Sequence, residues 1–297
     1  MNILKHCTLC PRKCGIDRTG SHGFCGESDK IRIARADFHL WEEPAICYGS
    51  GSGAIFFSGC TLKCCFCQNH EISQEGVGYE VSTDELAKTM LGLQSKGACN
   101  INLISATQFV PQVIEAIGLI KNELKVPVVF NCSGYESIDT VKMLDGYVDI
   151  YLPDFKYFSS ELSRRYSNAK DYFEVAAKAI DEMVRQVGKP QFDGERLMRG
   201  VMIRHLVLPS HRDDSIAIME YLGKKYASDE ILLSIMSQYT PVWKSGLFPE
   251  INRKLTTFEY ERVLDSAQKY GFRWYIQQRS SATRDFIPKF YGEKEGS

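Results

Sequence analysis

The feature that most constrains the fold is a regular alternation of short β-rich runs with amphipathic segments. Six runs rich in strand-forming residues follow one another: AIFFSG at 54, INLIS at 101, PVVFN at 127, YVDIYLPDF at 147, GVMIRHLVLP at 200 and EILLSIM at 230. Apolar residues recur at helical spacing between and after them, in 86–94, 109–123, 136–145, 173–187, 213–226 and 256–270. Because strands that alternate with helices form βαβ units, the sequence predicts an α/β fold, a partial parallel (β/α)6 barrel.

The length and the charge balance of the chain are those of an ordinary globular protein. The chain has 297 residues, of which 44% are hydrophobic, enough to build its own core. Its 36 basic and 37 acidic residues give a net charge of -1, so nothing favours a nucleic-acid or membrane partner. No stretch approaches the roughly 20 apolar residues of a spanning helix, and the N-terminus lacks a signal-peptide pattern. We therefore expect a cytoplasmic protein.

The eleven cysteines are concentrated in two groups. Because cytosolic thiols are kept reduced, we expect them to bind metal rather than to form disulfides. Residues 1–48 are polar and lack periodic segments, which predicts a small metal-binding module held by Cys7, Cys10, Cys14 and Cys25. Residues 49–245 would then form the barrel, and residues 246–297 a C-terminal helical extension.

The second group lies in GCTLKCCFCQNHE, directly after the first predicted strand. Thiolates suit iron–sulfur clusters, zinc and Cu(I), but structural zinc generally needs four ligands. Cys60, Cys64 and Cys67 supply three, and recruiting Cys65 as a fourth would require adjacent residues to bind one ion. Three thiolates can hold a [4Fe-4S] cluster with one iron open to a ligand, which is the candidate metal group for this loop.

Polar residues also follow the later strands. Ser105 follows the second, NCSG (131–134) the third, Asp154 to Lys156 the fourth, and PSHRDDS (209–215) the fifth. In a parallel barrel the carboxyl ends of the strands form one face, where the chemistry takes place. The sequence therefore predicts that these residues converge with the cysteine loop.

The Cys-x3-Cys-x2-Cys spacing, with an aromatic residue at position 66, resembles the radical S-adenosylmethionine (SAM) superfamily. FFSGCTLKCCFCQN, NCSGYE, VDIYLPDFK, IRHLVLPSHRDDS and SQYTP occur in the order and approximate spacing seen in pyruvate formate-lyase activating enzymes, over residues 54–243. The N-terminal CTLCPRKC and GFCG segments are similar to a branch of that family with a four-cysteine module. The resemblance implies reductive cleavage of SAM to a 5′-deoxyadenosyl radical.

The resemblance also implies a set of SAM-binding residues, which are Phe66, Gln68, Asn69, Ser105, Asn131, Ser133, Asp154, Lys156 and Arg204. Ser105 stands where the family commonly has a Gly-Gly-Glu pattern. Asn131 begins NCSG where the family has Asp-Thr-Asn-Gly, which removes a carboxylate. Arg204 and His205 are neighbours on a strand and face opposite sides, so we expect Arg204 at the ligand and His205 in the packing. For His70, beside the loop, a surface or capping role is as plausible as one at the cluster.

Several alternatives remain open at this point. The radical could activate a partner glycyl-radical enzyme, with flavodoxin or ferredoxin as reductant, or it could act on a small molecule or a peptide. The N-terminal cysteines could hold zinc, an auxiliary iron–sulfur cluster or nothing. A non-enzymatic reading, a binding protein stabilised by zinc in both cysteine groups, predicts a colourless protein that does not cleave SAM.

Overall fold

The structure is a computed structural model that describes residues 3–47, 49 and 51–276. Its strands are β1 (Ile31–His39), β2 (Ser52–Phe57), β3 (Tyr79–Val81), β4 (Ile101–Ile104), β5 (Val128–Cys132), β6 (Ile150–Pro153), β7 (Gln191–Asp193), β8 (Arg196–Leu206), β9 (Leu232–Met236) and β10 (Trp274–Ile276). Its α-helices are α1 (His70–Ser73), α2 (Thr83–Ser95), α3 (Val110–Leu119), α4 (Ile138–Met143), α5 (Ser160–Ser167), α6 (Tyr172–Val187), α7 (Arg212–Lys225) and α8 (Thr257–Gln268).

The strands form one mostly parallel sheet. Its order is β10-β9-β8-β6-β5-β4-β2-β1-β3, and β2 through β10 pair in parallel along this path. Strands β1 and β3 extend the β2 edge in antiparallel pairing, and β7 pairs antiparallel with β8. All six predicted strands are present, and the predicted α/β partial barrel is confirmed.

Two elements differ from the sequence-based expectation. Strand β1 lies in the N-terminal region expected to lack periodic structure, and it pairs along β2 from Ile33↔Phe57 to His39↔Ser52. Residues 31–39 are therefore part of the main sheet. Strand β10 adds a seventh parallel strand beyond α8, in the region predicted as a helical extension. At three residues it is too short to produce a recognisable pattern.

The core has two sides because successive residues of a strand face opposite ways. One side packs against the helices and includes Ile55, Leu103, Phe130, Tyr151 and Ile203. The other side faces the barrel interior and includes Val129, Ile150, Leu152, Met202 and Leu232. Ala45 and Ile46, in the connection from β1 to β2, pack against this inner layer. The connection therefore fills part of the barrel from within.

Local sequence signals fix several helix ends. Ser82 and Glu85 form a capping box at the start of α2, and Thr256 and Glu259 form another before α8. Each pair satisfies two backbone N–H groups that have no partner within the helix.

Candidate functional site

A cavity of about 590 Å³ lies at the carboxyl ends of the parallel strands. Its lining brings together all three cysteines of the predicted cluster and all nine predicted SAM-binding residues: Cys60, Cys64, Cys67, Phe66, Gln68, Asn69, Ser105, Asn131, Ser133, Asp154, Lys156 and Arg204. These residues come from the loop after β2 and from the ends of β4, β5, β6 and β8. The convergence predicted from the strand ends is therefore present.

The cysteine loop, residues 59–69, is held by hydrogen bonds to its sulfur atoms. The Cys60 Sγ accepts the backbone N–H groups of Leu62 at 3.3 Å and Lys63 at 3.4 Å. The Cys64 Sγ accepts the Ser167 hydroxyl at 3.0 Å, and the Cys67 Sγ lies 3.3 Å from the Ser73 Oγ. N–H and O–H donors aimed at sulfur stabilise the thiolate form that binds metal.

The donor set fits an iron–sulfur cluster. Burial, reinforced by the neighbouring thiols of Cys60 and Cys64, raises the pKa of Cys67 to about 12. Burial also raises the pKa of Cys64, although the Lys156 ammonium opposes the shift. Buried thiols of this kind stay protonated at neutral pH unless a bound cation compensates their charge, as cluster iron does.

Cys65 differs from its neighbours in the loop. It is absent from the described residues that line the cavity, and it packs against the main core. Its N–H donates to the Tyr166 carbonyl at 2.8 Å, and its carbonyl accepts the Lys244 N–H at 2.9 Å. Cys65 is therefore a partly buried thiol outside the lining of the cavity.

A connected set of charges lies in the cavity wall. The Lys156 Nζ lies 2.6 Å from the Asp154 Oδ2, and the Arg204 Nε lies 3.0 Å from the Asp154 Oδ1. All three side chains are about 15% exposed. Burial alone would raise the pKa of Asp154, but attraction to Arg204 and Lys156 outweighs burial and lowers the pKa below its usual value. The carboxylate therefore stays ionised between two cations.

Glu42, which was not predicted from the sequence, completes this network. Its carboxylate lies 3.4 Å from the Arg204 guanidinium and accepts the side-chain amides of Asn102 at 3.1 Å and Asn131 at 3.3 Å. Arg204 also donates to the Asn131 Oδ1 at 2.6 Å. The carboxylate absent at position 131 is thus matched by one from the β1–β2 connection. The available signal was the acidic pair within the otherwise apolar LWEEPAI.

The remaining wall positions depend on close backbone contacts. The Tyr172 hydroxyl lies 2.8 Å from the carbonyl oxygens of both Ser133 and Asp154 and accepts the Lys156 N–H at 3.0 Å. Gly134 has φ +77°, and a Cβ there would lie 2.1 Å from the Asp154 carbonyl oxygen. A side chain at position 134 would push the β5 and β6 ends apart.

Aromatic residues support the loop beside the cavity. The Phe66 ring is buried, with edge contacts to Tyr239 at 5.8 Å and Tyr166 at 6.5 Å between ring centroids. The His70 ring stacks on Trp243 at 4.3 Å, and its Nδ1 lies 3.2 Å from the Glu75 Oε1. His70 therefore packs beside the loop and is absent from the described cavity lining.

His205 faces away from the cavity, as predicted. It is 1% exposed, and its Nδ1 donates to the Phe155 carbonyl at 2.7 Å while its Nε2 lies 2.8 Å from the Ser215 Oγ. Burial lowers the pKa of His205 to about 4, so the ring is neutral at physiological pH. Its role is packing, and that prediction is confirmed.

Three of the four N-terminal cysteines, Cys7, Cys14 and Cys25, lie near a buried arginine, Arg18, which is 0% exposed. The Arg18 guanidinium lies 3.9 Å from the Cys7 Sγ, and burial raises the pKa of Cys10 to about 12. A Cβ on Gly23 would lie 3.3 Å from the Cys25 Sγ and 3.6 Å from the Cys14 Sγ. The four thiols are thus neighbours, and a second metal among them stays a prediction.

The described residues contain neither a conventional site for a single metal ion nor a membrane-spanning helix. No group of three or more His, Cys, Asp or Glu side chains is arranged to hold a single metal ion. In a [4Fe-4S] cluster the three thiolates each bind a different iron. The three sulfur atoms therefore need not be close enough to bind one common metal ion. Every described helix is too short or too polar to traverse a lipid bilayer.

Sequence comparison gives a match over most of the barrel. The sequence pattern of the Radical SAM superfamily matches residues 54–222. An uncharacterized protein of Methanocaldococcus jannaschii is 31% identical over 280 residues, which cover 91% of this chain and 76% of that protein.

Solved structures share the fold at low sequence identity. A radical SAM methyltransferase from Sphaerobacter thermophilus has a TM-score of 0.54 at 13% identity, covering 77% of this chain and 67% of the other. Methylornithine synthase (PylB) has a TM-score of 0.51 at 12% identity, covering 80% and 73%. Streptococcus suis SuiB bound to the precursor peptide SuiA has a TM-score of 0.51 at 11% identity, covering 74% and 46%. The chain thus spans less than half the length of SuiB.

Proposed function

The chain belongs to the radical SAM superfamily and is therefore an enzyme of that class, and we propose that it binds a [4Fe-4S] cluster and SAM in the cavity at the strand ends and cleaves SAM reductively. One observation carries the proposal: the three thiols and the nine SAM-binding residues implied by resemblance line the same cavity. Bound at these thiols, the cluster would supply the electron that breaks the sulfonium–carbon bond of SAM.

Cys60, Cys64 and Cys67 would hold the cluster. Donors already face each sulfur, from backbone N–H groups at Cys60 and from hydroxyls at Cys64 and Cys67. Hydrogen bonds to cluster sulfurs tune the reduction potential, so these contacts bear on reactivity as well as on binding. Phe66 and the tyrosines around it keep one side of the loop apolar and exclude water.

The charged network would orient SAM. Its carboxylate suits Lys156 and Arg204, and its amino group and sulfonium suit Asp154, which stays ionised because the cations on either side lower its pKa. Within the network the two carboxylates of Asp154 and Glu42 balance the two cations. SAM would therefore enter a site that is already electrostatically compensated, with little reorganisation on binding.

Adjacent cysteines provide a matched test of this proposal. After anaerobic reconstitution with iron and sulfide, we expect the wild type and Cys65→Ala to bind iron and to form 5′-deoxyadenosine from SAM under dithionite. Cys64→Ala should lose the cavity iron and form no deoxyadenosine above the blank. Equal activity in Cys64→Ala and Cys65→Ala, or a colourless wild type that leaves SAM intact, would refute the assignment.

We further propose that the radical abstracts hydrogen from a glycine of a partner glycyl-radical enzyme, with flavodoxin or ferredoxin as the electron donor. Support comes from the activating-enzyme-like segments over residues 54–243. Incubation of the reduced protein and SAM with such an enzyme should produce a glycyl-radical signal in electron paramagnetic resonance. Deoxyadenosine formation without that signal for any candidate partner would favour a small-molecule or peptide substrate, since fold does not fix the target.

A further inference from the structure

Arg12 connects the N-terminal cysteine segment to the cysteine loop. Its guanidinium donates to the Thr61 carbonyl at 2.9 Å and to the Leu62 carbonyl at 3.4 Å. It also donates to the Ser167 carbonyl at 3.1 Å and to the Asn168 carbonyl. One side chain between Cys10 and Cys14 thus joins the loop to the C-terminal end of α5.

The carbonyls that Arg12 contacts lie next to the ligand thiols. Thr61 and Leu62 are the residues that immediately follow Cys60, and the Leu62 N–H donates to the Cys60 sulfur. Ser167 provides the hydroxyl that donates to the Cys64 sulfur. Arg12 therefore binds the backbone of residues that donate hydrogen bonds to the sulfurs of Cys60 and Cys64.

Other contacts strengthen the same connection. The Cys60 N–H donates to the Cys25 carbonyl at 3.1 Å, so backbone from both cysteine groups is in direct contact. Arg18 donates to the Gln108 carbonyl at 2.6 Å, and the Gln108 side-chain amide donates to the Ser58 carbonyl at 2.6 Å. The N-terminal segment thus contacts the start of the loop as well as its middle.

We propose that Arg12 is a positioning residue for the cluster-binding loop, holding the backbone after Cys60 and the end of α5 in the arrangement that receives the cluster. This inference rests on the proposed function for its catalytic consequence. A planar guanidinium with five N–H donors can bridge two chain segments, whereas a lysine ammonium provides one point of contact. The guanidinium carbon lies 4.4 Å from the centroid of the Phe24 ring and 5.1 Å from that of Tyr135, and these cation–π contacts help to fix the orientation of the guanidinium.

Hydrogen exchange in the metal-free protein tests the inference without cluster chemistry. The loop provides reporters in the hydrogen-bonded amides of Cys60, Leu62, Lys63, Cys65 and Cys67. In Arg12→Gln we expect the 60–67 amides to exchange about tenfold faster than in the wild type, because hydrogen bonds to a charged group are lost. Arg12→Lys should fall in between, and Arg164→Gln, an exposed arginine of α5, should match the wild type.

A local role and a general loss of stability give different patterns. The positioning role predicts faster exchange in 60–67 with unchanged exchange in α7, together with less iron bound after reconstitution. Unchanged exchange in 60–67, or an equal increase in α7, would overturn it. Arg12→Lys keeps the test decisive if Arg12→Gln fails to fold. If the wild type binds no iron while its exchange depends on Arg12, the proposed function fails and the positioning of the loop stands.

Discussion

The two cysteine groups are neighbours with similar chemistry and different surroundings. Burial raises the pKa of Cys10 in one group and of Cys67 in the other to about 12. The loop thiols line an open cavity that also contains Asp154, Lys156 and Arg204. Three of the N-terminal thiols, those of Cys7, Cys14 and Cys25, lie instead near the buried Arg18. Cysteine spacing alone identifies a potential ligand set, and the groups around it decide whether a substrate can reach it.

We expect the largest difference in deoxyadenosine formation between two variants that each remove one thiol, one from each cysteine group. Cys67→Ala should abolish deoxyadenosine formation because it removes a ligand within the cavity. Cys10→Ala should lower the rate without abolishing it, since Cys10 acts on the loop only through its own segment. Quantification of deoxyadenosine in anaerobically reconstituted protein measures both. Complete loss in both variants would show that the N-terminal thiols are part of the reactive site.

Removal of a buried charge should also have different effects on stability and on SAM binding in the two regions. Asp154→Asn leaves Lys156 and Arg204 without their shared carboxylate, which should destabilise the fold by about 3–5 kcal/mol and abolish tight SAM binding. Arg18→Gln loses hydrogen bonds to the Ser28 and Gln108 carbonyls and should cost about 2 kcal/mol. Urea unfolding and equilibrium dialysis with SAM provide the two readouts.

The SAM affinity of the folded variants is the discriminating result. Folded Arg18→Gln should bind SAM much more tightly than folded Asp154→Asn, because Asp154 lies in the cavity and Arg18 outside it. If Asp154→Asn keeps wild-type affinity, the charged network does not contact SAM, and the assignment of these residues is wrong.

Acid should weaken the packing around the cavity before it neutralises Asp154. The folded-state pKa of His205, about 4, lies below the ordinary value near 6.5, so its contribution to stability is complete above pH 6.5 and is lost as the pH falls towards 4. At pH 5 the loss should be about 2 kcal/mol. The pKa of Asp154 is lowered, so its carboxylate stays ionised over that range.

Comparison with a variant isolates the histidine from the other titrating groups. Between pH 7.5 and pH 5, the difference in free energy of unfolding between the wild type and His205→Gln should shrink by this amount. Urea unfolding at both pH values measures it. An unchanged difference would mean that His205 takes up its proton as readily in the folded as in the unfolded state, contrary to its burial.

Glu42 should have the smallest effect of the residues tested. Glu42→Gln keeps the shape but removes the charge that faces Arg204, which should weaken SAM binding about tenfold, or about 1.4 kcal/mol. Asp37→Asn, on the same segment but 57% exposed, should bind SAM like the wild type. Wild-type affinity in Glu42→Gln would limit its role to closing the barrel interior.

Much of this arrangement could be predicted from the sequence, for definite physical reasons. A strand buried on both faces produces an apolar run, and the parallel fold brings its carboxyl end to the same face as those of its neighbours. The positions of Cys60, Ser105, Asn131 and Asp154 in one cavity follow from these two facts. Arg204 follows too, because strand periodicity assigns its side chain and that of His205 to opposite faces.

The contacts that sequence reasoning missed depend on how distant segments return to the barrel. Strand β1 is framed by glycines, cysteines and charged residues, which masks its pattern. Glu42 reaches Arg204 only because the β1–β2 connection enters the barrel interior. Arg12 binds backbone carbonyls, and an acceptor that every residue carries leaves no signature in a sequence.

The most direct test of the central claim is electron paramagnetic resonance of the anaerobically reconstituted, dithionite-reduced protein, recorded at low temperature with and without SAM. We predict the signal of a reduced [4Fe-4S] cluster whose g values shift when SAM is added, in the wild type and in Cys65→Ala but not in Cys64→Ala. A cluster signal that SAM leaves unchanged in the wild type, or a SAM-dependent shift that survives in Cys64→Ala, would contradict the account.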